Sequence, residues 1–179
     1  MKLPIKAAMA AICLLATPAA ADTFPIFSSG NWSAFSGTVD TGEPVCGIVT
    51  AGKNKAFALK WLDGDDRLIV HLYDDSWVTS PGAMVPVIIT FGDHSPWSTN
   101  AKAVRQDDGH VILEAYVKTD HSISEFITEI ENSNEMRISF PSLMRPDWVG
   151  GLAGSGAVVR AMVKCILYMG STYDPRSHL

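Results

Sequence analysis

Apolar and polar residues alternate along most of this chain. "KAFALKW" puts Phe57, Leu59 and Trp61 on one side and Lys60 on the other, and "RLIVHLY" separates Leu68, Val70 and Leu72 from Ile69, His71 and Tyr73. The same period of two runs through "MVPVIITF" (Val85, Val87, Ile89, Phe91), "VILEAYV" (Val111, Leu113, Ala115, Val117) and "MRISF" (Met136, Ile138, Phe140). Side chains of a strand point alternately to its two faces, so each segment offers one apolar face to a core. "VCGIVTA" around Cys46 reads as a further strand, weakened by Gly47. Pro86 cannot donate to a ladder, which predicts an edge or bulged position for its strand. "DGDD" at 63–66, "SPGA" at 80–83 and "QDDGH" at 106–110 carry turn signals, and their short spacing favours antiparallel neighbours over helical crossovers.

Two segments change period. In "SISEFITEIENSN", Ser122 followed by Glu125 matches a capping box, and Phe126, Ile127 and Ile130 fall at helical spacing. In "GLAGSGAVVRAMVKC", Ser155 is placed to cap a helix whose stripe is Val158, Val159, Met162, Cys165, Ile166 and Met169. Arg160 and Lys164 lie off that stripe, and Gly170 is placed to end the helix. The expectation is a mainly β fold, an antiparallel β-sandwich or open barrel, with one or two helices and the C-terminal helix packed on the sheet.

Composition adds an address. Lys2 and Lys6, the apolar run "AAMAAICLLA" and the small residues Ala19–Ala21 make a secretory signal peptide over residues 1–21, with cleavage before Asp22. The run is shorter than the roughly 20 apolar residues of a membrane span. Cys13 follows Ile12, where a lipid-attachment motif has a small residue, so Cys13 is expected to leave with the leader. The remaining 158 residues divide into a single β-rich domain over 22–170 and a polar tail over 171–179. Without Lys2 and Lys6, 12 basic residues face 19 acidic ones. With no basic cluster to track phosphates, nucleic-acid binding is not expected. No second long apolar segment follows the leader, so no transmembrane segment is expected after cleavage.

The leader also gives the two remaining cysteines a meaning. Cys46 and Cys165, in an exported chain, are expected to form a disulfide that pins the last helix to an early strand. Neither has a metal-ligand partner at short spacing.

Chemistry-bearing residues are sparse. "GDHSPW" gathers Asp93, His94, Ser95 and Trp97, the most suggestive local cluster, but adjacent Asp, His and Ser rarely face one another as a triad requires. A zinc site from His94, His110 and His121 lacks a recognised ligand spacing, and no metal or cofactor is expected. "GSG" at 154–156 fails as a nucleophile elbow, because Ala153 and Ala157 stand where glycines are needed. It also fails as a dinucleotide fingerprint, with Val159 at a position needing a small residue. Trp32, Trp77, Trp97 and Trp148 fall in loop-like or strand-end regions, suited either to closing the core or to a binding surface.

The export signal, the β-rich body and the closing "GLAGSGAVVRAMVKC" resemble small exported proteobacterial proteins of the invasion-associated locus B-like group. The likeness covers about fifteen residues, a glycine- and small-residue segment leading through a helix to a cysteine. This chain lacks the further cysteines of that group. The resemblance implies a periplasmic β-sandwich of unassigned, non-enzymatic role and carries over no binding residue. The expected function is that of a periplasmic or secreted binding or accessory protein, its partner another protein or an envelope component. The rivals are a secreted hydrolase using the His94 region and a proteinaceous inhibitor of a secreted hydrolase.

Overall fold

The structure, a computed structural model, describes residues 22–118, 120–143 and 145–169. The leader, Gly170 and the tail at 171–179 lie outside them. Ten strands and two helices follow in the order β1 (Asp22–Ser29), β2 (Trp32–Thr38), β3 (Pro44–Ala51), β4 (Lys55–Leu62), β5 (Arg67–Asp74), β6 (Met84–Phe91), β7 (Trp97–Arg105), β8 (Val111–Lys118), α1 (Asp120–Asn132), β9 (Glu135–Ser139), β10 (Trp148–Gly151) and α2 (Ser155–Tyr168). They build one antiparallel sheet in the order β1-β2-β3-β4-β5-β8-β7-β6-β9-β10. The sheet is not closed, yet it curls until its ends approach: the Trp32 indole on β2 donates to the Gly151 carbonyl on β10 at 3.2 Å.

The alternation found in the sequence becomes one continuous inner face. Ladder partners carry it from Ala34 to Ile48, Leu59 and Val70, then to Ala115. Val87, Ile89 and Ile138 extend it on the far side, all buried in one hydrophobic cluster with Phe126 and Ile130 of α1 and Val158, Val159 and Met162 of α2. α2 packs on β1, β2, β3 and α1. Cys46 and Cys165 are bonded, their Cα atoms 6.0 Å apart, so the last helix is covalently tied to β3.

Several local readings need correction. α1 begins at Asp120, two residues before Ser122, so Ser122 sits in its first turn and cannot cap it. Ser155 does not cap α2 either. Gly154 holds that position with φ of 91° and no side-chain cap, and the buried Ser155 hydroxyl instead donates to the Ile130 carbonyl at 2.9 Å. Gly154 is required there twice over, since a Cβ would also lie 2.5 Å from the Ser29 carbonyl oxygen. Gly47 does not weaken β3: the Phe35 ring from β2 lies over it, 2.3 Å from where a Cβ would be, so the aromatic supplies the packing that glycine lacks. Pro86 lies on an interior strand. It is tolerated because β9 pairs with β6 only from Ile88 onward, leaving Pro86 past the end of that ladder. The "SPGA" turn does not join neighbours, because β5 pairs with β8 and the chain crosses to β6 beyond β7.

Candidate functional site

The sheet comes apart between β7 and β8. β7 and β8 pair only where Lys102–Arg105 meet Val111–Glu114. Beyond that, β8 stays with β5 as far as Lys118, while β7 follows β6 to Ile89 opposite Trp97. The two strands therefore fork, and α1 starts two residues after Lys118. Side-chain size leaves the fork hollow. Where β6 turns Val85, Val87 and Ile89 inward, β7 offers Thr99, Ala101 and Ala103, and β8 offers Ala115. Dense interiors normally leave few voids. Here a cleft of about 140 Å³ opens, walled by Thr99, Ala115, Val117 and Trp97, floored by Val70, Ile89 and Phe126, and rimmed by Ser98, Tyr116, Ser122 and Lys118.

Of the four residues singled out in "GDHSPW", Trp97 alone reaches this cleft. Its indole donates to Glu129 Oε2 at 2.6 Å and its ring meets Phe126 edge-on at 5.3 Å. Glu129 is a buried carboxylate on α1, and its other oxygen lies 3.6 Å from His94 Nδ1. That is ion-pair range but long for a hydrogen bond. The His94 side chain is 47% exposed, and Asp93 and Ser95 are exposed on the loop beside it. The structure thus brings His94 and Trp97 together through Glu129, which lies 32 residues beyond Trp97 and shows no sequence signal linking it to that loop.

A second cluster, on the outer face, also escaped the sequence reading. His71 on β5 and Glu114 on β8 are cross-strand partners, with Nε2 and Oε2 2.9 Å apart. The Tyr116 hydroxyl donates to the other Glu114 oxygen at 2.5 Å, and Arg67, bound to Asp65, lies 4.5 Å over the Tyr116 ring. Burial, with the bond to Glu114, pushes Tyr116 up to about 12. Burial holds the Lys60 amine below its ordinary value, against the pull of Glu114 and Asp40. Burial also holds the His71 imidazole below 6.5, opposed by its bond to Glu114. That same bond holds the Glu114 carboxyl below 4.5. The pair is a neutral imidazole donating to a carboxylate.

Both groups bind protons more readily in the unfolded chain. Their stabilisation is therefore complete above 6.5 and is lost on acidification, first through His71 and then, below 4.5, through Glu114. The urea midpoint of the protein is expected to fall between about pH 7.5 and about pH 5.5, and the fall to be shallower in His71→Gln. Parallel losses in both proteins would acquit His71.

The remaining sequence candidates scatter. Trp77 and Trp148 stack at 5.5 Å against Phe140, with Lys55 5.1 Å from the Trp148 ring centre, while Trp32 is fully buried. These three close the core near the β3–β4 hairpin. His110 stands against Tyr73 at the β7–β8 turn, and His121 is exposed on α1 beside Glu125. Among the described residues no three His, Cys, Asp or Glu side chains gather as a metal site. No helix among them is long and apolar enough to cross a membrane.

No protein-family model matches the chain, and no curated protein matches it in sequence. Among solved structures, the crystal structure of invasion associated protein B from Bartonella henselae is similar, with a TM-score of 0.48 and 12% sequence identity, over 82% of this chain and 98% of that one.

Proposed function

We propose that this protein is a non-enzymatic binding or accessory protein of the periplasm or extracellular space, and that it takes its ligand at the fork between β7 and β8. The observation that carries the reading is the fork itself. Two neighbouring strands inside the sheet part after four paired positions and expose an apolar cleft lined from five elements. Concave, mostly apolar sites with a few polar groups at the rim are where small ligands bind. The Cys46–Cys165 bond favours an oxidising compartment.

The buried Glu129 beside His94 is the observation that keeps a hydrolase in contention. One experiment separates the two. Toluene titrated into the oxidised protein is expected to shift the backbone amides of Ser98, Thr99, Tyr116 and Val117 saturably, and p-nitrophenyl acetate to show no turnover that His94→Ala removes. Turnover lost in His94→Ala would replace the binding reading with the hydrolase. Failure of toluene to move those amides would remove the fork as the site.

A further inference from the structure

The fork has a chemical polarity that narrows its ligand. Its floor, Val70, Ile89 and Phe126, is wholly apolar. Its volume of about 140 Å³ is close to that of cavities known to hold a benzene ring, about six carbons. The charged side chain among its lining residues is a cation, Lys118, at the exposed end of β8. Among the described side chains, which do not include that of Asp120, Lys118 makes no ion pair, whereas Arg67, opposite it on β5, is held by Asp65 at 2.8 Å. Two carboxylates near the fork are engaged elsewhere: Glu114 with His71 and Tyr116, and Glu129 with the Trp97 indole. Glu129 itself does not line the cleft, so the charge offered to a ligand there is that of Lys118, at the rim.

Resting on the binding reading above, we propose that the fork is a site for a small carboxylic acid with an apolar body of about six carbons. The body fills the space left by Thr99 and Ala115, and the carboxylate stays at the rim with Lys118. Entry needs no rearrangement of the ladders, because β7 and β8 are already apart there.

The test compares hexanoate, 1-hexanol and hexylamine by two-dimensional amide NMR of the full oxidised protein. Hexanoate is expected to bind with a dissociation constant below about 1 mM and to shift the amides of Ser98, Thr99, Val117 and Lys118. An exposed ion pair is worth roughly 0.2–1 kcal/mol, so hexanol is expected to bind about 1.5- to fivefold more weakly and hexylamine more weakly still. Lys118→Gln is expected to bring hexanoate down to the level of hexanol and to leave hexanol unchanged. Ala115→Leu fills the body site and is expected to abolish both. Thr99→Ile serves the same purpose should Ala115→Leu not fold. Equal binding of hexanol and hexanoate, or no effect of Lys118→Gln, would overturn the carboxylate assignment while leaving the fork as the site. No binding by any of the three would overturn both.

Discussion

Replacing Cys46 and Cys165 together with alanine is expected to lower the thermal midpoint by roughly 10–20 °C. The bond closes a loop with a sequence separation of 119. On the chain-entropy account, releasing such a loop costs about 4–5 kcal/mol. The position of the bond makes the loss felt in the native state as well. Full burial along α2 ends at Met162, after Val158 and Val159, while Ile166 and, just past the helix, Met169 are half-covered and Leu167 is exposed. The disulfide therefore holds the half of the helix that packing holds least. Cys46 is itself buried against the sheet, so the double variant also leaves a small void there. Thermal unfolding of the oxidised wild type and the double variant, followed by far-UV circular dichroism, reads the difference. A shift below about 3 °C would mean that the tether adds little to what packing already supplies.

Phe126→Ala is the second large effect, an expected loss of about 3–5 kcal/mol in urea unfolding. Phe126 is fully buried and meets two rings edge-on, Phe91 at 5.0 Å and Trp97 at 5.3 Å. It holds α1 over the fork and forms the floor of the cleft. Truncation removes transfer free energy and ring contacts, and it joins a new void to the existing hollow, which limits collapse of the neighbours. A ligand that binds only the folded state raises stability by mass action. Toluene is therefore expected to stabilise the alanine variant more than it stabilises the wild type. A loss under about 1.5 kcal/mol, or equal stabilisation by toluene, would mean that Phe126 does not bound the cleft.

Legibility followed local density of signal. The five strands read from alternation, which β3 joined as a weaker sixth, are those whose inner positions carry large apolar residues, as in Leu68, Val70 and Leu72. The four that were missed lack that contrast. β1 is a largely exposed edge, β10 ends in Gly150 and Gly151, and β7 turns only Thr99, Ala101 and Ala103 inward next to Trp97. β2 mixes Trp32 and Phe35 with small residues, and Phe35 faces away from the buried Trp32 and Ala34 to lie over Gly47 on the next strand. The residues that hid β7 from the pattern are the same small ones that hollow out the fork. Both helices were legible from their stripes, but neither N-terminus was. Capping at 154–156 was decided by contact with Ser29 and with the Ile130 carbonyl, which local chemistry does not encode.

Short-range periodicity was enough to establish a β-rich chain, two amphipathic helices, their buried faces and the cysteine pair, because each is a property of residues within a few positions or of a count of two thiols. The course of the sheet, the parting of β7 from β8, the Glu129 that ties Trp97 to α1 and the His71–Glu114 pair came from packing between segments far apart along the chain. Such contacts depend on which strands become neighbours and in what register, and no local period carries that information. The place where this protein is proposed to bind is defined by a missing ladder, and a ladder exists only once two strands have met.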